Sequence, residues 1–117
     1  MHDGVMLLVD GHTVEPLSAV KIRRFLRHAP QLIKMHAITE PLVVATPGGW
    51  TGFVIVAESH ISVETQGRHL WADLFSCAAF DTVRAERIVR RLLGLVECRA
   101  RTVERPMPPA RSAGALP

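Results

Sequence analysis

The run Thr46-Pro47-Gly48-Gly49-Trp50-Thr51-Gly52-Phe53-Val54-Ile55-Val56-Ala57-Glu58-Ser59-His60-Ile61-Ser62-Val63-Glu64 decides the fold. Its first four residues are the strongest turn signal in the chain, because proline presets φ and glycine tolerates backbone angles closed to other residues. Thr51 to Ala57 is β-branched and apolar. Ile61 and Val63 then alternate with His60, Ser62 and Glu64, which predicts a strand with two chemically distinct faces. After Gln66-Gly67-Arg68, the stretch His69 to Cys77 puts Trp71, Asp73, Phe75 and Cys77 on one side of another strand. Turns this short between such runs predict hairpins.

Working outward, Leu42 to Ala45 reads as a further short strand. Val5 to Val9 is an apolar run ended by Asp10-Gly11, which predicts a buried strand entering a turn. Pro16 suits the first turn of a helix whose apolar face is Ile22, Phe25, Leu26, Ala29 and Ile33, with Pro30 expected to end it before Ile33. Downstream, Asp81 is a good N-cap for a helix carrying Ala85, Ile88, Val89, Leu92, Leu93 and Val96 at helical spacing, and Gly94 marks its end. Val96 to Val103 returns as a last strand. The order β-α-β-β-β-β-α-β predicts an α+β fold, a two-layer sandwich of a mainly antiparallel sheet covered by two helices. With 117 residues there is material for one core, so 1–104 is read as a single domain and the Pro-, Ala-, Gly- and Ser-rich stretch 105–117 as a flexible tail.

Bulk properties exclude several function classes. A hydrophobic content of 48% is too high for a disordered chain. No stretch approaches the roughly 20 apolar residues that cross a bilayer. The segment Met1-His2-Asp3-Gly4 puts no basic cluster ahead of an apolar one, so a cytoplasmic protein with no membrane partner is expected. In that compartment Cys77 and Cys98 are read as thiols, Cys98 as part of the core. The formal charge of +3 comes from arginine, but Arg84, Arg87, Arg90 and Arg91 interleave with an apolar stripe as a solvated helix face does. Aromatic residues that stack on bases are few, and no nucleic-acid partner is expected. His60 and Glu64, four apart on a strand, lie too far apart for an easy chelate, so no metal site is expected either.

The segment Gly49-Trp50-Thr51-Gly52 through Ala57-Glu58-Ser59-His60-Ile61-Ser62, followed by Asp73-Leu74-Phe75-Ser76-Cys77, resembles the prokaryotic S-adenosylmethionine decarboxylases. In that family a Gly-x-Ser/Thr-Gly turn feeds an apolar strand, then Ala-Glu-Ser-His-Ile-Ser, then a strand ending Asp-x-Phe-Thr-Cys. The likeness extends more weakly from Val5 to Val103. It implies a proenzyme of polyamine synthesis that cuts itself between Glu58 and Ser59 into chains 1–58 and 59–117. Ser59 then becomes a pyruvoyl cofactor, which forms a Schiff base with the amine of a small amino-acid substrate and takes the place of pyridoxal phosphate, with no metal. The resemblance assigns protonation of the resulting carbanion to Cys77 and assistance in processing to the hydroxyl of Thr51. It also implies a homodimer of processed protomers with pockets shared across the interface.

Three departures from the family bear on the substrate. The family continues His-Thr-Trp-Pro-Glu where this chain has Glu64-Thr65-Gln66-Gly67-Arg68, so Glu64 replaces the processing histidine and no carboxylate stands at the ribose position. The adenine-stacking aromatic of the first strand is replaced by Asp10-Gly11-His12, leaving Trp50 as an aromatic face. A pocket stripped of nucleoside contacts but gaining the carboxylates Glu64 and Asp10 suits the guanidinium or ammonium tail of L-arginine or L-ornithine. Glu64 also stands in as the proton-transfer group for processing. The alternatives are a true S-adenosylmethionine decarboxylase serving spermidine synthesis and an inert homologue that regulates a partner decarboxylase.

Overall fold

The computed structural model describes residues 3–108, and its elements follow the expected order. They are β1 (Gly4–Thr13), α1 (Ala19–Leu32), β2 (Leu42–Thr46), β3 (Gly49–Val56), β4 (Ser59–Gln66), β5 (His69–Ser76), α2 (Thr82–Leu93) and β6 (Leu95–Arg105). The strands form one six-stranded sheet in the order β2-β3-β4-β5-β1-β6, antiparallel at every step. Three consecutive two-residue hairpins make β2 to β5. The first strand then inserts between β5 and the last strand.

Side chains alternate across the sheet, as the pleat requires. Leu7, Val9, Val54, Val56, Ile61, Val63, Leu70, Ala72 and Leu74 are buried beneath the helices. Ile22, Phe25, Leu26 and Ala29 of α1 and Ala85, Val89 and Leu93 of α2 close that core. The four arginines of α2 point to solvent, as their spacing predicts. Asp81 caps α2, accepting from the Arg84 backbone N–H, and Gly94 ends it in the left-handed conformation. Cys98 is half-buried against the core, and Cys77 is free beside the sheet end.

Several local expectations are corrected. Asp10-Gly11 is not a turn, because β1 runs on through it to Thr13. Gly11 is needed for close approach instead: a Cβ there would lie 2.4 Å from the Glu97 carbonyl oxygen on β6. Pro16 precedes α1, which starts at Ala19 with Ser18 as its cap. The end of α1 agrees with the expectation: Pro30 sits buried in its last turn, and the helix stops at Leu32, before Ile33. Arg105 belongs to β6, where it pairs with Gly4, and the Met107 N–H is held by the Asp3 carboxylate, so the tail cannot begin at 105. The rest of the expected tail, from 109 on, lies outside the described residues.

Candidate active site

Ser59 is the first residue of β4 and follows the two-residue turn Ala57-Glu58 from β3. Its parity puts it on the helix-facing side of the sheet, where it is 8% exposed, and its Oγ is buried with no hydrogen-bond partner. A buried hydroxyl left unmatched is uncommon and costs about 1–3 kcal/mol. Glu58 has φ 57°, in the left-handed region. The other two hairpin turns, Pro47-Gly48 and Gly67-Arg68, also use a positive φ, but at glycine. Positive φ at the second turn residue alone is the sign pattern of a type II turn, which calls for glycine there and twists against the strands it joins. The Glu58–Ser59 peptide therefore sits in the one hairpin turn whose geometry and residue type disagree.

The start of this turn is anchored. The Ala57 N–H donates to the His36 carbonyl at 2.9 Å, Ile38 donates to the Ile55 carbonyl at 2.8 Å, and Ala37 bridges to Val56. The far side is anchored too. Ser59 faces Ser76 across the β4–β5 ladder, and the buried Ser76 hydroxyl accepts from the Ala78 N–H at 3.0 Å. Cys77 follows Ser76 directly, so its Cα is one step of about 3.8 Å beyond the residue opposite Ser59. Ser59, Glu58 and Cys77 are thus brought together at one end of the sheet.

Thr51 and Glu64 lie elsewhere. They are cross-strand partners on the open face, joined by a 2.7 Å hydrogen bond from the Thr51 hydroxyl to Glu64 Oε1. Five residues of β4 separate Glu64 from Ser59, about 17 Å at 3.3–3.4 Å per residue. Within one chain they cannot touch Ser59. Asp10 shares their row: Glu64 and Asp10 are the two partners of Trp71, one on each side. Asp73, in the adjoining row, has its carboxyl pushed above the usual range by burial first and by Asp10 next, with Glu64 adding and His60 opposing.

The aromatic assignment is corrected. Trp50 points to the helix side and packs against the core, whereas Trp71 stands 44% exposed on the open face between the two carboxylates. Parity carried that information, since Trp50 is in phase with Val54 and Val56. Sequence reasoning weighed His60 only as a metal ligand and motif residue; its ring lies between Phe53 and Phe75 at 5.7 Å from each. Stacking of this kind fixes the orientation of the residue next to Ser59. Among the described residues no group of three or more His, Cys, Asp or Glu side chains could hold a metal, and no helix is long and apolar enough to cross a membrane.

No curated protein sequence matches the chain. A solved structure similar to it is the adenosylmethionine decarboxylase from Aquifex aeolicus VF5, 23% identical, with a TM-score of 0.74 over 95% of this chain and 97% of that one. At that identity the likeness shows the fold, a helix-covered antiparallel sheet. The family model for S-adenosylmethionine decarboxylase matches residues 6–106, a span holding both the Glu58-Ser59 turn and Cys77. The chain therefore belongs to the S-adenosylmethionine decarboxylase family, whose members are decarboxylases.

Proposed function

We propose that the chain is a self-processing, pyruvoyl-dependent decarboxylase of a cationic amino acid, L-arginine or L-ornithine, with Ser59 as cofactor precursor and Cys77 as proton donor. The observation that carries this reading is the buried, unpartnered Ser59 hydroxyl beside a left-handed Glu58. That pairing fits the chemistry of conversion. Ser59 Oγ attacks the Glu58 carbonyl carbon and the peptide C–N bond breaks, giving an ester. Elimination across Cα–Cβ of Ser59 breaks the Cβ–Oγ bond, so Glu58 departs as a carboxylate carrying the former Oγ. Water then replaces the amine nitrogen of residue 59, which leaves as ammonia.

The ketone so formed supplies an electron sink for loss of carbon dioxide. On this reading Cys77 returns a proton to the substrate carbon, a role supported by its position one residue past the partner of Ser59. His60, held between two phenylalanines, fixes the start of β4.

Thr51 and Glu64 act on this reading in a homodimer. At about 17 Å from their own Ser59, they serve a second protomer whose open face meets this one. Exposed Phe53, Ile55 and Trp71 give that face its apolar character. The substrate tail falls to the same row, where Glu64 and Asp10 flank the Trp71 indole. Two carboxylates around an aromatic face suit a guanidinium or ammonium group. S-adenosylmethionine is the second reading, favoured by the exposed indole as a stacking surface for adenine.

The test is a denaturing gel and a release assay. The wild type runs as two fragments of about half the 12.9 kDa chain, with a blocked amino terminus at residue 59, and Ser59→Ala stays whole. Carbon dioxide comes from arginine or ornithine; release from S-adenosylmethionine alone overturns the substrate, and a chain that never cleaves overturns the enzyme in favour of an inert homologue.

A further inference from the structure

On the helix side of the Glu58–Ser59 turn lies a cavity of about 630 Å³ whose lining includes Lys34, His36, Ala57, Ser76, Asp81 and Arg84. Its position is defined from both sides of the scissile bond. Ala57 is the residue before Glu58, and Ser76 is the cross-strand partner of Ser59. Three basic side chains face one carboxylate, and that carboxylate, Asp81, already caps α2. Among the described residues neither Lys34 nor Arg84 makes a salt bridge, although Arg84 Nε donates to the Leu32 carbonyl at 2.8 Å. The backbone bends to put this charge there: among the described residues Lys34 is, with Glu58, one of two non-glycine residues at positive φ.

We propose that this cavity is the seat of the new chain end at Glu58, an anion-binding latch that works only after cleavage. The inference rests on the self-processing reading above. In the intact chain residue 58 carries one carboxylate; after cleavage it carries two, the new one being the main-chain carboxylate that keeps the former Ser59 oxygen. Ala57 stays fixed, because its N–H is held by the His36 carbonyl. Residue 58 is then a single swinging unit, one Cα step of about 3.8 Å from a residue that lines the cavity. Loss of the link to Ser59 frees its left-handed φ, and the cationic side chains lining the cavity beside it are Lys34 and Arg84, with the His36 imidazole as a further hydrogen-bonding group. Docking there draws the leaving carboxylate away from residue 59, clearing the space a substrate amine needs and opposing reversal of the cut.

A zero-length carbodiimide cross-link tests this on the full chain, because it joins an amine to a carboxylate in contact with loss of water. Lys34 and Lys21 are the only two lysines. In Glu58→Gln the sole carboxylate at residue 58 is the one cleavage creates. In the cleaved wild type and in Glu58→Gln, fragment 1–58 should become lighter by one water, with the amide mapped between Lys34 and residue 58. Complete cleavage with no such amide, or with residue 58 joined to Lys21, overturns the latch and leaves the processing reading intact. A single uncleaved band overturns both. As a second measure, Lys34→Gln should lower the melting temperature of the cleaved protein by about 2–4 °C while leaving uncleavable Ser59→Ala unchanged. Equal shifts in the two forms overturn the proposal.

Discussion

Replacing Glu58 by glycine tests whether strain in the turn serves the cut. A non-glycine residue at φ 57° costs about 1–2 kcal/mol. Glycine removes that cost but adds unfolded-state entropy worth about 0.4–1 kcal/mol. In an uncleavable Ser59→Ala background, Glu58→Gly should therefore raise unfolding stability by about 0.5–1 kcal/mol, read from urea midpoints. The effect on processing has the opposite sign. If the native strain is released as the Glu58 carbonyl becomes tetrahedral, its loss raises the barrier by the full 1–2 kcal/mol, or about 5- to 30-fold in rate. The assay is the appearance of fragments 1–58 and 59–117 on a gel after synthesis. A glycine variant that is stabilised yet cleaves at the wild-type rate would show that the strain is a by-product of the turn. One that is destabilised would show that the turn is not strained at all.

The remaining predictions address the open face and the sheet. Asp73 has a raised folded-state pKa, so its stabilising effect is greatest when it is protonated, below its ordinary 3.8, and is lost as pH climbs through the folded value. Asp73→Asn should accordingly be more stable than wild type at pH 7, with the advantage vanishing near pH 3 in urea titrations; a constant advantage at both pH values refutes the electrostatic account. Gly11→Ala sets a Cβ 2.4 Å from the Glu97 carbonyl oxygen and should cost about 1–3 kcal/mol as β6 shifts off β1, seen as faster amide exchange along Leu95–Arg105. On the proposed homodimer, Glu64→Gln alone should halt processing, yet co-expression with Ser59→Ala should restore cleavage of the Glu64→Gln chain, whose Ser59 would be served by the other protomer's Glu64. Cleavage of isolated, dilute Glu64→Gln would refute a role for that carboxylate.

The sheet was legible because its strands are short and alternating and its turns carry glycine or proline. Asp81 and Gly94 bounded α2 for the same reason, their side-chain and backbone chemistry being local. What misled were residues whose role is set by a distant neighbour. Gly11 reads as a turn until β6 is laid beside it. At the site, the motif named Ser59 and Cys77 together, and the β4–β5 register puts Cys77 one residue past the partner of Ser59. It also grouped Thr51 and Glu64 with them, and only the register β3–β4 separates that pair by five residues. Glu64 and Asp10 were named together from the sequence, but that Trp71 lies between them emerges only from the β1–β5 and β4–β5 registers.

The insertion of β1 between β5 and β6 has a consequence for any molecule cut at residue 58. Of the strands, one fragment owns β1, β2 and β3 and the other β4, β5 and β6, so along the sheet order the ownership changes three times. Neither piece has a hydrophobic core alone, and parting them means unzipping β1 from both flanks together with the β3–β4 ladder. A protein severed there is in effect interlaced: on the self-processing proposal the cut would follow folding, and the two pieces should then unfold as one cooperative body, with a midpoint that depends on concentration although nothing new has associated.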